Sequence, residues 1–401
     1  MSQVLIGRQP IFDRDRRVIA YELLWRADKD SEAANVVNGD QATTDVMLNA
    51  LMEIGLDRIT GKLPAFVNLT KNFILGNYPL PETTDRLVLE VLEDIKVTDE
   101  ILAAIKNFSQ QGYTIALDDF VFHPELEPLV ELADIIKIDL MALNQNELES
   151  HVQRLRNYPV KLLAEKIETQ AEFEYVHQLG FDYFQGFFLT RPNIVEGKKT
   201  PVNKMAVLQL LAELAKPEIS NKELDALIQQ DVTLSYRILR YINSAHFNIK
   251  REIESISQAI MMLGRDTLTQ LANLLLLSRI DNKPQELIIT ALIHAKMAEL
   301  LAQQIHTENT SSYFTAGLFS VLDALMDLSM QDVLSQIPIS EILKEALLDH
   351  KGEVGAVLKC VLAYDIADWE QTRLEGMDDK IISKCYLDAI DWAGEVSGLM
   401  Q

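Results

Sequence analysis

The sequence predicts an α/β domain followed by an all-helical domain, and three observations support this prediction. Short β-branched runs alternate with helix-length amphipathic segments over about the first 200 residues. Nine of the twelve prolines lie at or before Pro201, so the first half of the chain is interrupted far more often than the second. Strand-like runs are absent after about residue 200, where apolar residues recur at helical spacing instead.

The first half begins with a hairpin and continues with six strand-like runs. Two short runs within Gln9–Ala20 flank the polar residues 13–16, and Val18–Leu24 follows as a strand. The later runs are Phe66–Leu69, Leu87–Leu92, Thr114–Phe120, Ile135–Asp139, Val160–Ile167 and Tyr183–Leu189. Amphipathic segments such as Val97–Gln110 separate them, and this alternation implies a parallel sheet. The pattern fits either a barrel or a doubly wound sheet.

The second half has the start signals and the spacing of helices. Ser220 and Glu223 form a capping box before an apolar periodic stretch, and Leu234 and Ile238 continue the helical spacing. The segment Arg191–Pro201 contains two prolines and a glycine and reads as a linker. We therefore expect two domains, at residues 1–200 and 201–401.

The charge of the chain excludes several classes of partner. Sixty acidic and 37 basic side chains give a net charge of −23, divided as −12 over residues 1–200 and −11 over residues 201–401. Nucleic acids and anionic membranes both favour Lys/Arg patches, so neither is an expected partner. No apolar run approaches the ~20 residues of a membrane span, and we expect a cytoplasmic protein.

Polar residues stand at or near the carboxyl ends of seven successive strand-like runs. They are Glu22, Asn68, Glu90, Asp118 with Asp119, Lys137, Glu165 and Gln185. In a parallel barrel the carboxyl ends of the strands converge on one mouth, where active sites are built. Carboxylates and an amide form a hard oxygen donor set that suits Mg²⁺ or Mn²⁺ rather than zinc. Together with a lysine, they indicate metal-assisted phosphodiester hydrolysis.

The ordered motifs of residues 1 to about 195 resemble those of the EAL domain, the cyclic-di-GMP-specific phosphodiesterase. The matching pieces are Tyr-Glu22-Leu-Leu-Trp-Arg26, Val-Asn68-Leu-Thr, Leu-Glu90-Val-Leu-Glu93, Leu-Asp118-Asp119-Phe, Ile-Lys137-Ile-Asp139, Ala-Glu165-Lys-Ile-Glu168-Thr and Phe-Gln185-Gly. The resemblance implies a TIM-like (β/α)₈ barrel with an irregular first strand and cleavage of cyclic-di-GMP to linear pGpG.

The same resemblance implies a role for each residue around two Mg²⁺ or Mn²⁺ ions. Metal ligands would be Glu22, Asn68, Glu90, Asp118 and Asp119. Glu165 would act as the general base, also beside the second ion, and Lys137 would hold the attacking water or a phosphate oxygen. Gln185 and Glu168 would orient the ligand and metal-bound waters, and Arg26 would contact a phosphate.

Three departures from the family pattern leave a second function open. The signature tripeptide reads Glu-Leu-Leu, with the polar residues still at the same offset. The loop Val121–Pro128 has two prolines and no glycine where the family has a Gly- and Ser-rich loop that supports the metal ligands and dimerisation. Lys166-Ile167 replaces the usual Gly-Val. The alternative to an active hydrolase is therefore a weak or inactive EAL domain that acts as a cyclic-di-GMP sensor or a protein-interaction scaffold.

Residues from about 202 resemble the HDOD module, an all-helical relative of HD phosphohydrolases that lacks their metal dyad. The similarity lies in Ser220–Asn243 and in the stretch that ends at Gly264. No His in the chain is followed by Asp, so the dyad is absent. The resemblance implies a signalling module with a protein partner that the sequence does not identify, and the barrel could still form the family's homodimer.

Overall fold

The structure is a computed structural model that describes most of the chain. The described residues are 4–27, 54–76, 80, 84–93, 95–186, 207, 209–211, 213–214, 219–243, 253–277, 283–305, 310–337 and 339–400. They form two compact units. One comprises Met1–Leu189, Tyr364–Glu370 and Met377–Leu387, and the other comprises Thr190–Ala363, Gln371–Gly376 and Asp388–Gln401. The predicted linker Arg191–Pro201 lies outside the described residues, so its position stays a prediction.

Eight strands of the first unit close into a barrel, in sequence order. They are β1 (Val4–Phe12), β2 (Val18–Ala27), β3 (Ala65–Leu69), β4 (Leu87–Val91), β5 (Thr114–Leu117), β6 (Ile135–Asp139), β7 (Lys161–Glu165) and β8 (Tyr183–Phe184). Strand β1 runs antiparallel to both of its neighbours, β2 and β8, and the other adjacent pairs are parallel. The prediction of a (β/α)₈-type barrel with an irregular first strand is confirmed, and the doubly wound alternative is wrong.

The reversed first strand follows from the hairpin that the sequence predicted. The Asp13 side chain accepts hydrogen bonds from the backbone N–H groups of Asp15 and Arg17, each at 2.9 Å, which closes a tight turn between β1 and β2. Arg16 adopts a left-handed conformation within this turn, with φ of 61°. A short turn can join only antiparallel neighbours, so β1 cannot run with the parallel strands.

Helices cover the outside of the barrel. Their bounds are α1 (Leu56–Thr60), α2 (Lys71–Leu75), α3 (Asp99–Gln110), α4 (Glu127–Val130), α5 (Gln145–Leu155) and α6 (Gln170–Leu179), with 3₁₀ turns at Thr84–Arg86 and Pro124–Leu126. Asn144 and Thr169 close capping boxes with Glu147 and Glu172, so α5 and α6 begin where their side chains can accept the first free N–H groups.

The inside of the barrel holds a small apolar plug. Its members are Ile11, Ala20, Phe66, Val88, Ala116, Ile135 and Leu163. Because side chains alternate across a strand, the residue two positions further along also faces the interior. On β2, β3, β4, β6 and β7 that next interior residue is Glu22, Asn68, Glu90, Lys137 and Glu165, respectively. The barrel therefore has an apolar floor and a polar mouth.

The second unit is helical throughout its described secondary structure, as the sequence predicted. The helices of the C-terminal half are α7 (Asn221–Gln229), α8 (Val232–Ile242), α9 (Ile256–Leu263), α10 (Arg265–Leu277), α11 (Gln285–Gln304), α12 (Thr310–Phe319), α13 (Leu322–Met326), α14 (Met330–Ser335), α15 (Glu341–Asp349), α16 (Gly352–Asp365) and α17 (Asp379–Met400). Among the described helices, none is both long enough and apolar enough to cross a membrane.

Two C-terminal segments belong to the barrel unit although they follow the helical domain in sequence. Tyr364 is fully buried, and its hydroxyl donates a hydrogen bond to the carbonyl oxygen of Ile6 at 3.1 Å. Its ring packs edge-on against Trp369, whose indole lies directly over Gly7. A Cβ at residue 7 would lie 3.1 Å from the Trp369 ring. The absence of a side chain on Gly7 therefore allows Trp369 to pack closely against β1.

Candidate functional site

The candidate site is the polar mouth of the barrel, and a buried lysine lies at its centre. Lys137 is 1% exposed on β6, and its Nζ contacts four carboxylates. The distances are 3.5 Å to Glu22 Oε1, 2.6 Å to Glu90 Oε1, 2.7 Å to Asp118 Oδ1 and 2.9 Å to Glu165 Oε1. Strands β2, β4, β6 and β7 and the residue after β5 thus converge on one ammonium group.

The electrostatics of this cluster are unbalanced, because four carboxylates face one cation. Burial raises the pKa of Glu90 well above its usual value, and burial also raises the pKa of Glu165 to about 8. In both groups Lys137 acts in the opposite direction, while the neighbouring carboxylates add to the rise. Burial by itself would lower the pKa of Lys137, but the four facing carboxylates hold it well above its ordinary value. The site therefore attracts either protons or further cations.

Several buried oxygen atoms at the mouth lack a hydrogen-bond partner among the described residues. They are Asn68 Oδ1, Glu90 Oε2, Glu165 Oε2 and Gln185 Oε1, while Asp119 Oδ1 has no hydrogen bond but lies 3.5 Å from the Lys166 ammonium. Glu90 Oε1 pairs with the Lys137 ammonium at 2.6 Å. Buried oxygen atoms normally have partners, so these atoms mark positions where a ligand can bind.

The donor chemistry fits divalent metal ions. Asn68 and Glu90 lie opposite each other in the register of β3 and β4. One ligand atom from each of Asp118, Asp119 and Glu165 lies within 4.8 Å of the others, which is a spacing that one ion can bridge. All of these donors are oxygens, which Mg²⁺, Mn²⁺ and Ca²⁺ prefer.

Gln9 on β1 belongs to the site, and the sequence did not predict it. Gln185 Nε2 donates hydrogen bonds to Glu22 Oε2 at 2.6 Å and to Gln9 Oε1 at 3.0 Å. Gln9 lies opposite Glu22 in the register of the β1–β2 hairpin. The signal in the sequence was a polar residue, next to Arg8, within a mostly apolar strand, but the direction of its side chain follows only from the hairpin register. Gln185 therefore holds the Glu22 carboxylate from the side away from Lys137.

The loop after Asp118 and Asp119 has a conformation that needs no glycine. Asp119 has a φ of 42°, and no other described residue between 118 and 130 has a positive φ. The Asp118 N–H donates to the Val91 carbonyl at 3.0 Å, and the Phe120 N–H donates to the Lys137 carbonyl at 2.9 Å. The backbone that carries the two aspartates is thus tied to the neighbouring strands on both sides.

Side chains of α5 hold the next part of this loop. The buried Phe122 ring packs edge-on against Phe120 at 5.9 Å, and the guanidinium of Arg154 lies 3.5 Å from the centre of the Phe122 ring. The Phe122 N–H donates to His151 Nε2 at 3.0 Å, and His151 Nδ1 lies 2.9 Å from the Glu147 carbonyl. A carbonyl only accepts and an N–H only donates, so the two contacts fit the tautomer that carries its proton on Nδ1.

The structure locates two further predicted residues, Arg26 and Glu168, by their backbone positions. Arg26 is the penultimate residue of β2, opposite Leu5 in register. Glu168 is half-buried three residues after the end of β7, where its N–H donates to Glu172 Oε2 at 2.8 Å. Lys166 and Asp139 form an ion pair at the rim. Both residues stand in the motifs of the sequence, but the resemblance implies no role for either. The structure thus brings Glu22, Glu90, Asp118, Lys137 and Glu165 into direct contact, while the assigned roles stay predictions.

Comparisons with known proteins agree with both resemblances. The EAL domain family matches residues 8–192, and the HDOD domain family matches residues 201–358. The chain is 34% identical to the uncharacterized protein YuxH of Bacillus subtilis, over 97% of this chain and 98% of the relative. It is 31% identical to the cyclic di-GMP phosphodiesterase CdgJ of Vibrio cholerae, over 100% of this chain and 94% of the relative.

A solved structure of a Bacillus subtilis protein also resembles the chain. It is the YkuI protein, with an EAL domain, in complex with substrate c-di-GMP and calcium. The two sequences are 22% identical, the match covers 57% of this chain and 70% of that chain, and the TM-score is 0.38.

The contact between His151 and the loop predicts a specific effect of removing the imidazole. His151→Ala leaves the Phe122 N–H without its acceptor and should lower the free energy of unfolding by about 1 kcal/mol. Because Phe122 follows Asp118 and Asp119 closely, the variant should also bind Mn²⁺ more weakly in a calorimetric titration. The control is His123→Ala, which removes an exposed imidazole from the same loop. Equal metal affinity in both variants would contradict this role of His151.

Proposed function

Because the chain belongs to the family of proteins in which an EAL domain precedes an HDOD domain, we propose that it is a metal-dependent cyclic-di-GMP phosphodiesterase. The observation that carries the proposal is the ring of four carboxylates around Lys137, with unpartnered oxygens of Asn68 and Glu165 at its edge. This set matches the chemistry of phosphodiester hydrolysis, which requires divalent cations, a base and a positive group near the phosphate. The reaction hydrolyses one phosphodiester bond of the cyclic dinucleotide and gives linear pGpG.

The residues that would hold two Mg²⁺ or Mn²⁺ ions are Glu22, Asn68, Glu90 and Asp118, with Asp119 and Glu165 toward the second position. Bound divalent ions would supply charge neutralisation at the phosphate and a more acidic attacking water. Without them, a dianionic substrate would approach a strongly acidic cluster, which like-charge repulsion opposes. The proposed activity is for that reason strictly metal-dependent.

Each of the other side chains of the site has its own proposed role in the reaction. Glu165 accepts the proton of the attacking water, and its carboxylate must be ionised to do so. Lys137 stays charged among its carboxylates and provides the positive group for the water or a phosphate oxygen. Gln185 keeps Glu22 in place through its hydrogen bond, and Arg26 and Glu168 would contact the phosphate and the metal-bound waters. When the water attacks phosphorus, the bond to one ribose oxygen breaks and that oxygen takes up a proton.

A second function rests on a specific observation at the rim. Lys166 Nζ lies 3.5 Å from Asp119 Oδ1, so a protein cation already contacts a carboxylate of the second metal position. A site with one weakened metal position could bind cyclic-di-GMP without turning it over. In that case the barrel is a sensor or scaffold, and the HDOD domain transmits its state to a protein partner.

The helical domain is proposed to bind a partner protein in either case. Within its described residues, His294 is buried and lies 2.9 Å from the Ser320 hydroxyl, and burial raises the pKa of Asp323. The sequence lacks the His-Asp dyad with which HD enzymes bind their metals. We propose a signalling role for this domain and retain the barrel homodimer of the EAL family as a hypothesis.

Turnover of cyclic-di-GMP tests the proposed activity. With Mg²⁺ or Mn²⁺, the wild-type protein should form pGpG, and Glu165→Gln should lower kcat by roughly 10²–10⁴-fold because the base is lost. Glu22→Ala should abolish metal-dependent turnover, while Glu131→Gln, at the exposed position directly after α4, should leave it unchanged. Binding of cyclic-di-GMP without turnover would favour the sensor, and turnover unaffected by Glu165→Gln would contradict the role of the base.

The raised pKa of Glu165 predicts a pH-dependent stabilisation by metal ions. In the metal-free protein, ionisation of Glu165 is less favourable in the folded state, so stability falls as pH rises from its ordinary pKa toward about 8. A bound cation removes this penalty. The increase in Tm caused by Mg²⁺ should therefore be larger at about pH 8.5 than at about pH 6.

The control for this measurement is Glu165→Gln, which removes one of the two carboxyl groups of the mouth whose pKa is raised. Its Mg²⁺-dependent increase in Tm should vary less with pH than that of the wild type. An increase in the wild type that is the same at both pH values would contradict the electrostatic description of the site.

A further inference from the structure

Lys166 occupies a strained backbone position at the rim of the site. It follows Glu165 at the end of β7 and has a φ of 58°, in the left-handed region that disfavours residues with a Cβ. Glycine adopts this conformation without strain, so a lysine here needs a compensating interaction of its side chain.

That interaction is made with two acidic residues. Lys166 Nζ lies 2.5 Å from Asp139 Oδ2 and 3.5 Å from Asp119 Oδ1. Asp139 is fixed in turn, because its Oδ1 accepts a hydrogen bond from the Met141 N–H at 2.7 Å. The ammonium thus bridges a fixed carboxylate at the rim and a carboxylate that faces the metal ligands.

Asp119 is the residue for which two cations compete. Its side chain offers an oxygen within 4.8 Å of ligand atoms of Asp118 and Glu165, and the same side chain contacts the Lys166 ammonium. The Lys166 side chain is about half exposed (49%), so it can move into solvent when another cation binds. The Lys137 side chain, by contrast, is buried at the centre of the cluster and is not exposed to solvent.

We propose that the Lys166 ammonium competes with the divalent ion at the second metal position, beside Asp119 and Glu165, which we call the outer ion. It neutralises Asp119 when that ion is absent and is displaced from Asp119 when the ion binds. The outer position then has a lower affinity than the other metal position, and the outer ion becomes the one whose concentration limits activity. This inference rests on the proposed function, since it assumes that the carboxylates bind two divalent ions.

The energetic basis is direct repulsion between like charges. An ammonium a few ångströms from a divalent ion disfavours that ion, and its removal should raise the affinity for the outer ion by about tenfold at a partly exposed site. The other metal position, which Glu22, Asn68 and Glu90 would hold, involves neither of the two carboxylates with which Lys166 forms ion pairs, and its affinity should change little.

The test is a calorimetric titration of the full-length protein with Mn²⁺, with Mn²⁺ EPR as a second readout. The wild type should bind two ions in two steps of different affinity. In Lys166→Met the weaker step should tighten by about tenfold, while the stronger step stays within about twofold. Lys166→Gly should give the same result and also relieves the left-handed backbone strain, which guards against misfolding of the first variant.

The matched control is Lys161→Met. It removes one positive charge at the opposite end of β7, where Lys161 Nζ hydrogen-bonds with Tyr183 Oη at 2.6 Å, and it should leave both steps unchanged. Unaltered Mn²⁺ binding in both Lys166 variants would overturn the inference alone. A wild-type protein that binds no Mn²⁺ would overturn the proposed function and the inference with it.

Discussion

The site depends on one buried ammonium group and on the excess of negative charge around it. Removing a lysine side chain from water is costly unless carboxylates surround it, and Lys137 has four of them within 3.5 Å. If all four are ionised, one positive charge faces four negative ones, which leaves a net charge of −3 in a buried space. The apolar plug below the site limits the solvation of this charge. The arrangement is therefore incomplete without protons or cations, and divalent ions satisfy both the charge and the unpartnered oxygens.

The loop after Asp119 illustrates how the fold replaces a missing sequence feature. Where the family pattern has flexible glycines, this chain uses Phe122 packed between Phe120 and Arg154, with its N–H bound to His151. Side chains on α5 therefore hold the backbone of the loop in place, and the loop adopts its conformation without glycine. The absence of glycine from Val121–Pro128 is for that reason compatible with a fixed position of Asp118 and Asp119. The loop is therefore no longer an argument for an inactive barrel, whereas the contact between Lys166 and Asp119 remains one.

The sequence predicted the centre of the site because the pattern is local. In five strands a polar residue stands two positions after an apolar interior residue, and strand alternation alone directs both to the same side. The partners of Lys137 could be named as a group for the same reason. Gln9 could not be predicted, because its direction depends on the hairpin register. His151 and Arg154 lie about thirty residues after the loop that they anchor, and no local pattern connects them to it. The grouping of Tyr364–Glu370 with the barrel likewise depends on packing between residues more than 350 positions apart.

The central claim is that divalent cations complete the charge of the Lys137 cluster. A crystal structure of the full-length protein with Mn²⁺ and cyclic-di-GMP, with data collected at the manganese absorption edge, tests this claim most directly. The account predicts two anomalous peaks per barrel, one among Glu22, Asn68, Glu90 and Asp118 and one beside Asp119 and Glu165. A barrel mouth with no peak at either position, and with Lys137 still contacting all four carboxylates, would contradict it.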